Sequence, residues 1–221
     1  MKRKLIQETL IYCIFPIVAI ALFYGEYKST PWIVLIIGVL YALNVKSKEN
    51  RINYTYLTFL FLFNIYFISI NSIGQNMIVQ FNLIFMLLLG ILILILESID
   101  INVCEIVLRD LLVIKGESKV SAYKISKRSK INSNLKRLST IIIIELLCCD
   151  LIAIYYINIM NMTKIENFLG YEILVVILFT LIEAYQISAI KDKITNTKVD
   201  TRRFVKQNMD LGKVINLEQY R

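Results

Sequence analysis

The sequence contains no histidine among its 221 residues. Ser-His-Asp and Cys-His catalysis are therefore excluded, as are zinc sites that need an imidazole ligand. The four cysteines, Cys13, Cys104, Cys148 and Cys149, form no C-x-x-C pair and predict no disulfide framework. The chain has only 7 glycines, and it has no Walker A loop, no G-x-G-x-x-G and no nucleophile elbow. We therefore expect no enzymatic activity, no cofactor and no metal site.

Charged residues are also scarce, at 19% of the chain, whereas 57% of the residues are hydrophobic and the mean hydropathy is +0.63. Soluble domains have about 45–50% apolar and about 25% charged residues. The formal net charge of +8 comes from Lys and Arg in short segments that flank long apolar runs. Membrane proteins fix their orientation in this way, and no nucleic-acid-binding motif accompanies the charge. We therefore expect no nucleic-acid partner.

Long apolar runs are the main feature that the sequence does have. A run of about 17–25 apolar residues can cross the hydrocarbon core of a bilayer as a helix. Six runs predict an all-α fold, a polytopic bundle of about six transmembrane helices. The predicted spans cover approximately Leu5–Gly25, Pro31–Val45, Tyr54–Ile73, Ile78–Glu97, Leu138–Met160 and Leu169–Ile190.

Basic residues alternate along the connections between these spans. They are frequent at the N-terminus, in the second and fourth connections and in the C-terminal tail, and rare in the other connections. The positive-inside rule then places both termini in the cytoplasm, in a cytoplasmic membrane whose anionic inner-leaflet lipids are the expected partners. The predicted regions are a four-span membrane region (1–97), a cytoplasmic basic loop (98–137), a C-terminal transmembrane hairpin (138–190) and a charged cytoplasmic tail (191–221).

The predicted cytoplasmic loop has two parts. Residues Ile99 to Gly116 have apolar side chains close to helical spacing, which indicates either an amphipathic interfacial helix or an extension of the fourth span. Residues Lys115 to Arg137 are basic and serine-rich and are expected near anionic headgroups, with an ordinary positive-inside loop as the alternative. The basic residues proposed to face the membrane surface are Lys124, Lys127, Arg128, Lys130, Lys136 and Arg137.

Four acids lie inside the last two predicted spans, where a charged side chain costs about 2.5–3.5 kcal/mol at the helix centre. Glu145 and Asp150 belong to the fifth span, Glu172 and Glu183 to the sixth, and Gln186 follows Glu183 by one helical step. On antiparallel helices Glu145 and Glu183 reach similar depth, and Asp150 lies near the midplane. We expect Asp150 and Glu183 either to be protonated or to line a hydrated path. The alternative is that they are neutral carboxylic acids that hydrogen-bond between helices.

The second half of the chain resembles the small holin-type membrane proteins of phages. The shared pattern is a cytoplasmic Gly-Glu, then Ser and Lys/Arg residues, a membrane helix with an inward Asp, and a returning helix that ends in Glu, Ser-Ile and charged residues. It falls here on Gly116, Glu117, Ser121, Lys130, Asp150, Glu183, Ile187 and Ser188, within Asp110–Asp192. This sequence departs from the pattern in having Ile125 and Ser126 where paired arginines are usual, and Gln186 where Ser is usual.

The resemblance implies self-assembly that permeabilises the membrane, for phage lysis or toxin release. Three functions follow as hypotheses. The first is a holin-like homo-oligomer that permeabilises or conducts across the cytoplasmic membrane, with the intramembrane acids marking the assembling helix faces. The second is a small transporter, or a membrane subunit of a transport complex. The third is an accessory or immunity-type membrane protein without flux of its own.

Overall fold

The computed structural model describes residues 2–16, 18, 29–73, 77–159 and 165–210, and within these ranges the chain is all-helical, with no strand. The first helix is continued by a wide, π-helical turn at Leu10–Ile14. The helices are α1 (Lys2–Thr9), α2 (Thr30–Glu49), α3 (Tyr54–Ser72), α4 (Ile78–Ser98), α5 (Val103–Ile114), α6 (Lys119–Ser126), α7 (Ser129–Ile159) and α8 (Ile165–Asp210).

Four helices are long and apolar enough to cross a membrane, as in an integral membrane protein. These segments are Thr30–Glu49, Ile78–Ser98, Ser129–Asn158 and Gly170–Thr195, and they correspond to the second, fourth, fifth and sixth predicted spans. The third predicted span forms α3, which is apolar over the shorter segment Tyr54–Ile70. The first predicted span begins in α1, but residues 17 and 19–28 lie outside the described residues.

The apolar faces of these helices are largely uncovered by protein. Only 6% of the apolar window in α8 and 11% of that in α4 is buried inside the chain. Leu181 of α8, for example, is 65% exposed. Such surfaces would be very unfavourable in water over this length, whereas lipid tails solvate them at no cost. The exposure therefore fits helices that face lipid.

The predicted basic loop is itself helical. Asp100 adopts a left-handed backbone conformation (φ 60°), and Asn102 caps α5 by accepting a hydrogen bond from the Glu105 backbone N–H at 2.9 Å. The helix α5 is thus separate from α4, so it is not a straight extension of the fourth span. Helix α6 follows with Ser118 as its cap, and α7 already begins at Ser129, before the predicted start of the fifth span.

A buried core explains why this region folds. Apolar side chains of α5, α6, the start of α7 and the part of α8 around Ile190 pack together. The buried members are Cys104, Leu112, Ala122, Ile125, Ile131, Leu135, Leu138 and Ile190. These positions recur at helical spacing on each element, so each helix contributes one face to the core. We call α5, α6 and the first two turns of α7 the cytoplasmic module, after the side of the membrane that the sequence predicts for them.

The remaining helices pack in two groups. Helix α7 lies between α4 and α8, which run alongside it for much of their length. Helices α2 and α3 pack against each other and against the turn after α1, around Tyr12, Val34, Ala42 and Leu60. Gly38 of α2 allows this close approach, because a methyl group added there would collide with the buried side chain of Leu60. In α8 the helix continues through the predicted charged tail as far as Asp210.

Candidate functional site

Two of the predicted acids meet between α7 and α8. The carboxyl groups of Glu145 and Glu183 lie close enough to interact electrostatically, and both side chains are half-buried. This contact agrees with the similar depth that helical rise assigns to the two residues. Two negative charges this close repel each other, and surroundings of low dielectric constant screen that repulsion far less than water does.

A second carboxyl group is held by a polar chain across three helices. The Asn82 side-chain amide of α4 donates a hydrogen bond to the buried Glu172 carboxyl group of α8. The Tyr66 hydroxyl of α3 in turn donates to Oδ1 of Asn82 at 3.2 Å. Asn82 is itself buried. In lipid, such interhelical hydrogen bonds hold helices together and fix the side chains that take part.

The third group is Asp150 of α7, which is buried between these two sites. It lies close enough to Glu172 for the two carboxyl groups to interact electrostatically. Its Oδ1 atom has no hydrogen-bond partner in the described part of the chain. The same is true of the buried Ser139 Oγ and of the buried Tyr156 hydroxyl, which flank Asp150 along the same helix.

These orphan oxygens matter because buried polar atoms are normally satisfied. Leaving one unsatisfied costs about 1–3 kcal/mol, and ordered water or an ion is the usual remedy. Ser139 lies near the N-terminal end of the apolar segment of α7, and Tyr156 near its C-terminal end. Ser139 and Asp150 lie on one face of α7, whereas Glu145 and Tyr156 lie on a second face about 120–140° away, because each residue turns the helix by about 100°. We call these four residues, which occur at successive depths along the helix, the α7 polar row. It places hydrogen-bonding groups through the whole apolar length of one helix.

None of the four acids forms an ion pair with Lys or Arg among the described residues. The structure thus brings Glu145 to Glu183 and Asp150 near Glu172, and leaves Gln186 half-buried on α8, beyond Glu183. The six predicted surface cations are all exposed, and of these Lys127 has an ion pair, with Glu105 at 3.1 Å. They are Lys124, Lys127, Arg128, Lys130, Lys136 and Arg137.

The cytoplasmic module is held together internally by a buried carboxylate that the sequence analysis did not single out. Glu105 of α5 is 1% exposed and accepts hydrogen bonds from Ser126 Oγ at 3.0 Å and Lys127 Nζ at 3.1 Å. An Nη2 atom of Arg109 lies 3.4 Å from the same carboxylate. One more contact joins the module to α3, where Asp110 Oδ2 accepts from both the backbone N–H and the hydroxyl of Thr55 at 2.9 Å.

The Cys104 thiol, also in α5, lies just outside the membrane-spanning segments, and its pKa depends in part on nearby acids. Burial first, and then the negative charges of Glu183 and Glu97, raise the pKa of Cys104 to about 12. The carboxyl pair is therefore close to the module as well as to the membrane interior. This connection between the module and the α7 polar row could not be read from the spacing of the acids alone.

The sequence analysis missed Asn82 and Tyr66, although each is a polar side chain inside an apolar run. A polar residue of this kind could have indicated the site, because an amide side chain within a run of Leu and Ile needs a hydrogen-bond partner on another helix. Glu8 was missed in the same way, and it is buried beside Arg51 with an Nη2–Oε1 distance of 3.2 Å. No family model, no curated protein and no solved structure matches this chain. Its function must therefore be inferred from its own contacts.

Proposed function

We propose that the chain is a multi-pass protein of the cytoplasmic membrane, with six spans and both termini in the cytoplasm. The proposal is supported by the four helices that are long and apolar enough to span a membrane. The apolar helix α3 and the alternation of basic residues along the connections also support it. The exposed cations of the cytoplasmic module would then face the anionic inner leaflet. The partners proposed on this basis are lipids and further membrane proteins or copies of the chain.

We propose that the protein conducts protons, or small cations that a carboxylate can bind, across this membrane. The observation that carries the proposal is the α7 polar row, whose buried orphan oxygens occur on the same helix as the carboxyl pair of Glu145 and Glu183. Ionisable groups inside a membrane protein commonly mark ion or proton pathways. Ser139 and Tyr156 each lie six residues from the nearest acid of the row, about 9 Å along the helix, so chains of several waters would connect them to the carboxyl groups.

Two of the acids on α7 and α8 face partners within the chain. Glu145 is engaged by Glu183, and Glu172 is engaged by Asn82. A face that assembles with other copies would instead present its polar groups outward, away from the chain's own helices. This geometry supports a path through one chain over a pore formed where several chains meet.

The test is a flux assay on the purified chain in liposomes. A potassium diffusion potential drives protons inward, and a pH-sensitive dye reports the internal pH. We expect Glu183→Gln to reduce the initial rate at least tenfold and Asp150→Asn to reduce it as well. The matched control is Thr180→Val on the same helix, since the Thr180 hydroxyl is exposed and donates to the Val176 carbonyl of its own helix at 2.7 Å. Wild-type rates in both acid variants would refute the pathway.

A second candidate function is holin-like self-assembly. One observation favours it, namely that the outer face of α8 is almost entirely uncovered by the rest of the chain. This face, with Ile177 and Leu181, is available to a second copy. The two functions differ in concentration dependence, because flux through single chains rises linearly with the protein-to-lipid ratio, whereas flux through an assembly rises more steeply. Collapse of the membrane potential and growth arrest on induced expression would support the holin-like function.

A further inference from the structure

The cytoplasmic side of the protein contains a cavity that the α7 polar row does not involve. It has a volume of about 500 Å³ and lies where the end of α2 and the start of α3 meet α5 and α6. The predicted orientation puts this junction at the level of the lipid headgroups, because the C-terminal end of α2 faces the cytoplasm. Tyr54 and Tyr123 lie on its border and are exposed, as aromatic side chains at a membrane interface commonly are.

The charged lining of this cavity is strongly positive. It consists of Lys46, Arg51, Arg109 and Lys119 against the single acid Asp110. Two of these five groups are already occupied. Arg51 lies 2.6 Å from a carboxylate oxygen of Glu49 and 3.2 Å from one of Glu8, and Asp110 accepts both hydrogen bonds from Thr55. The excess of positive charge thus resides on three residues.

The positive charges of these three residues are not fully balanced by carboxylates of the chain. Lys46 at the last turn of α2 and Lys119 at the first residue of α6 are exposed and form no ion pair among the described residues. Arg109 reaches Glu105 at 3.4 Å, but that carboxylate is also bound to Lys127. The Nε atom of Arg109 is buried and has no hydrogen-bond partner in the described part of the chain. Its guanidinium lies 5.4 Å from the ring centroid of Tyr123, which holds it in place.

The rest of the lining is apolar. Ile106 and Val113 of α5 and Ala122 of α6 form part of the wall, and Ile52 lies on the α3 side. Cations and apolar wall thus occur together in one cavity at the membrane level. That combination suits a ligand with a phosphate group and a hydrocarbon part, because basic pockets between membrane helices on the cytoplasmic side recognise phospholipid headgroups. A free phosphate compound would use the cations but not the apolar wall.

We propose that this cavity binds the phosphate of an anionic phospholipid from the inner leaflet, with Lys46, Arg109 and Lys119 as its cationic ligands. The bound lipid would tie α2 and α3 to the cytoplasmic module at the junction where Asp110 already holds Thr55. The proposal does not depend on the flux assigned to the α7 polar row. A protein that conducts nothing can still bind lipid in this cavity.

The test is lipid binding to the full chain in detergent micelles, followed by native mass spectrometry during titration with phosphatidylglycerol. The variant Lys46→Gln/Lys119→Gln removes two cavity cations, and about fivefold weaker binding is expected for each. The control Lys124→Gln/Lys136→Gln removes the same charge from exposed positions outside the cavity lining and should change the affinity much less. Both double variants are checked by circular dichroism melting, so that a folding defect is recognised.

Three results would overturn the proposal. One is an equal loss of phosphatidylglycerol binding in the two double variants, which would mean that overall charge attracts the lipid. Another is equally tight binding of zwitterionic phosphatidylcholine. The last is displacement of the lipid by millimolar inorganic phosphate, which would identify a soluble phosphate compound as the ligand. Selective loss in the cavity variant, with no displacement by phosphate, is the expected result.

Discussion

The cytoplasmic module and helix α8 use the same kinds of apolar side chain in opposite ways. In the module, Ile131 and Leu135 are almost completely buried against neighbouring helices. In the membrane segment of α8, Leu178 and Leu181 are 60% and 65% exposed. The module is stabilised by the removal of its apolar side chains from water. The leucines of α8 face lipid, so burying them against protein would add little to stability. Water is therefore the solvent for one region of the chain and lipid the solvent for the other.

The largest expected effect is a contrast between two truncations. We expect Ile131→Ala to lower the free energy of unfolding by about 2–5 kcal/mol, because it leaves a cavity in the core of the module. We expect Leu181→Ala to change it by less than about 0.5 kcal/mol, since that side chain faces lipid or detergent. Denaturant unfolding in micelles measures both. Similar losses in the two variants would remove the distinction between the regions.

A smaller effect is expected where the module contains a buried charge. Glu105→Gln removes the negative charge that faces Lys127 and Arg109 but keeps the shape of the side chain. We expect a loss of about 1–3 kcal/mol, because hydrogen bonds to a charged group are lost or weakened. Asp192→Asn, at an exposed position, is the control. An unchanged melting temperature in Glu105→Gln would show that the carboxylate does not hold the module together.

A comparable loss is expected from packing inside the membrane region. Gly38→Leu introduces a side chain where α2 approaches Leu60 of α3. Overpacking of this kind costs about 1–3 kcal/mol and would separate the two helices. The control Gly170→Leu adds the same side chain where no neighbouring atom lies within 4 Å of an added Cβ. Equal thermal stability of the two variants would contradict close packing of α2 on α3.

The smallest effect on stability, but a clear one on reactivity, concerns Cys104. Its pKa is raised to about 12, so very little thiolate exists near pH 8 and the thiolate fraction grows as the pH rises toward that value. We expect alkylation of the folded chain at Cys104 to be at least tenfold slower than in the denatured chain at pH 8, and to accelerate with pH. Peptide mass spectrometry after timed iodoacetamide treatment measures this. Equal rates in the two states would place Cys104 at the surface.

The sequence predicted the helical fold because runs of Leu and Ile long enough to cross a bilayer carry that information themselves. The depth of Glu145 and Glu183 could be predicted for the same reason, since the rise of a helix fixes it. The burial of Glu105 could not be predicted, because it depends on α6 folding back onto α5 around Ala122 and Ile125. The cavity could not be predicted either, since its cations come from α5 and α6 and also from α2, which is distant from them in sequence.

The proposed six spans and the holin-like resemblance stay predictions. The number of spans depends on whether the segment after α1 and the helix α3 cross the bilayer, and hydropathy predicts only the length of such segments. The holin-like function depends on contacts between copies of the chain. The α7 polar row, by contrast, combines acids that the sequence reveals with orphan oxygens that only the packing reveals.

The most direct test of the two-solvent account uses spin labels in reconstituted vesicles. Single cysteines are introduced by Leu181→Cys on α8 and Lys136→Cys on the exposed side of the module, in a background without the four native cysteines. The account predicts that the label at 181 collides with oxygen dissolved in the lipid, whereas the label at 136 collides with a water-soluble nickel chelate. High nickel accessibility at position 181 would place the apolar face of α8 in water and contradict the account.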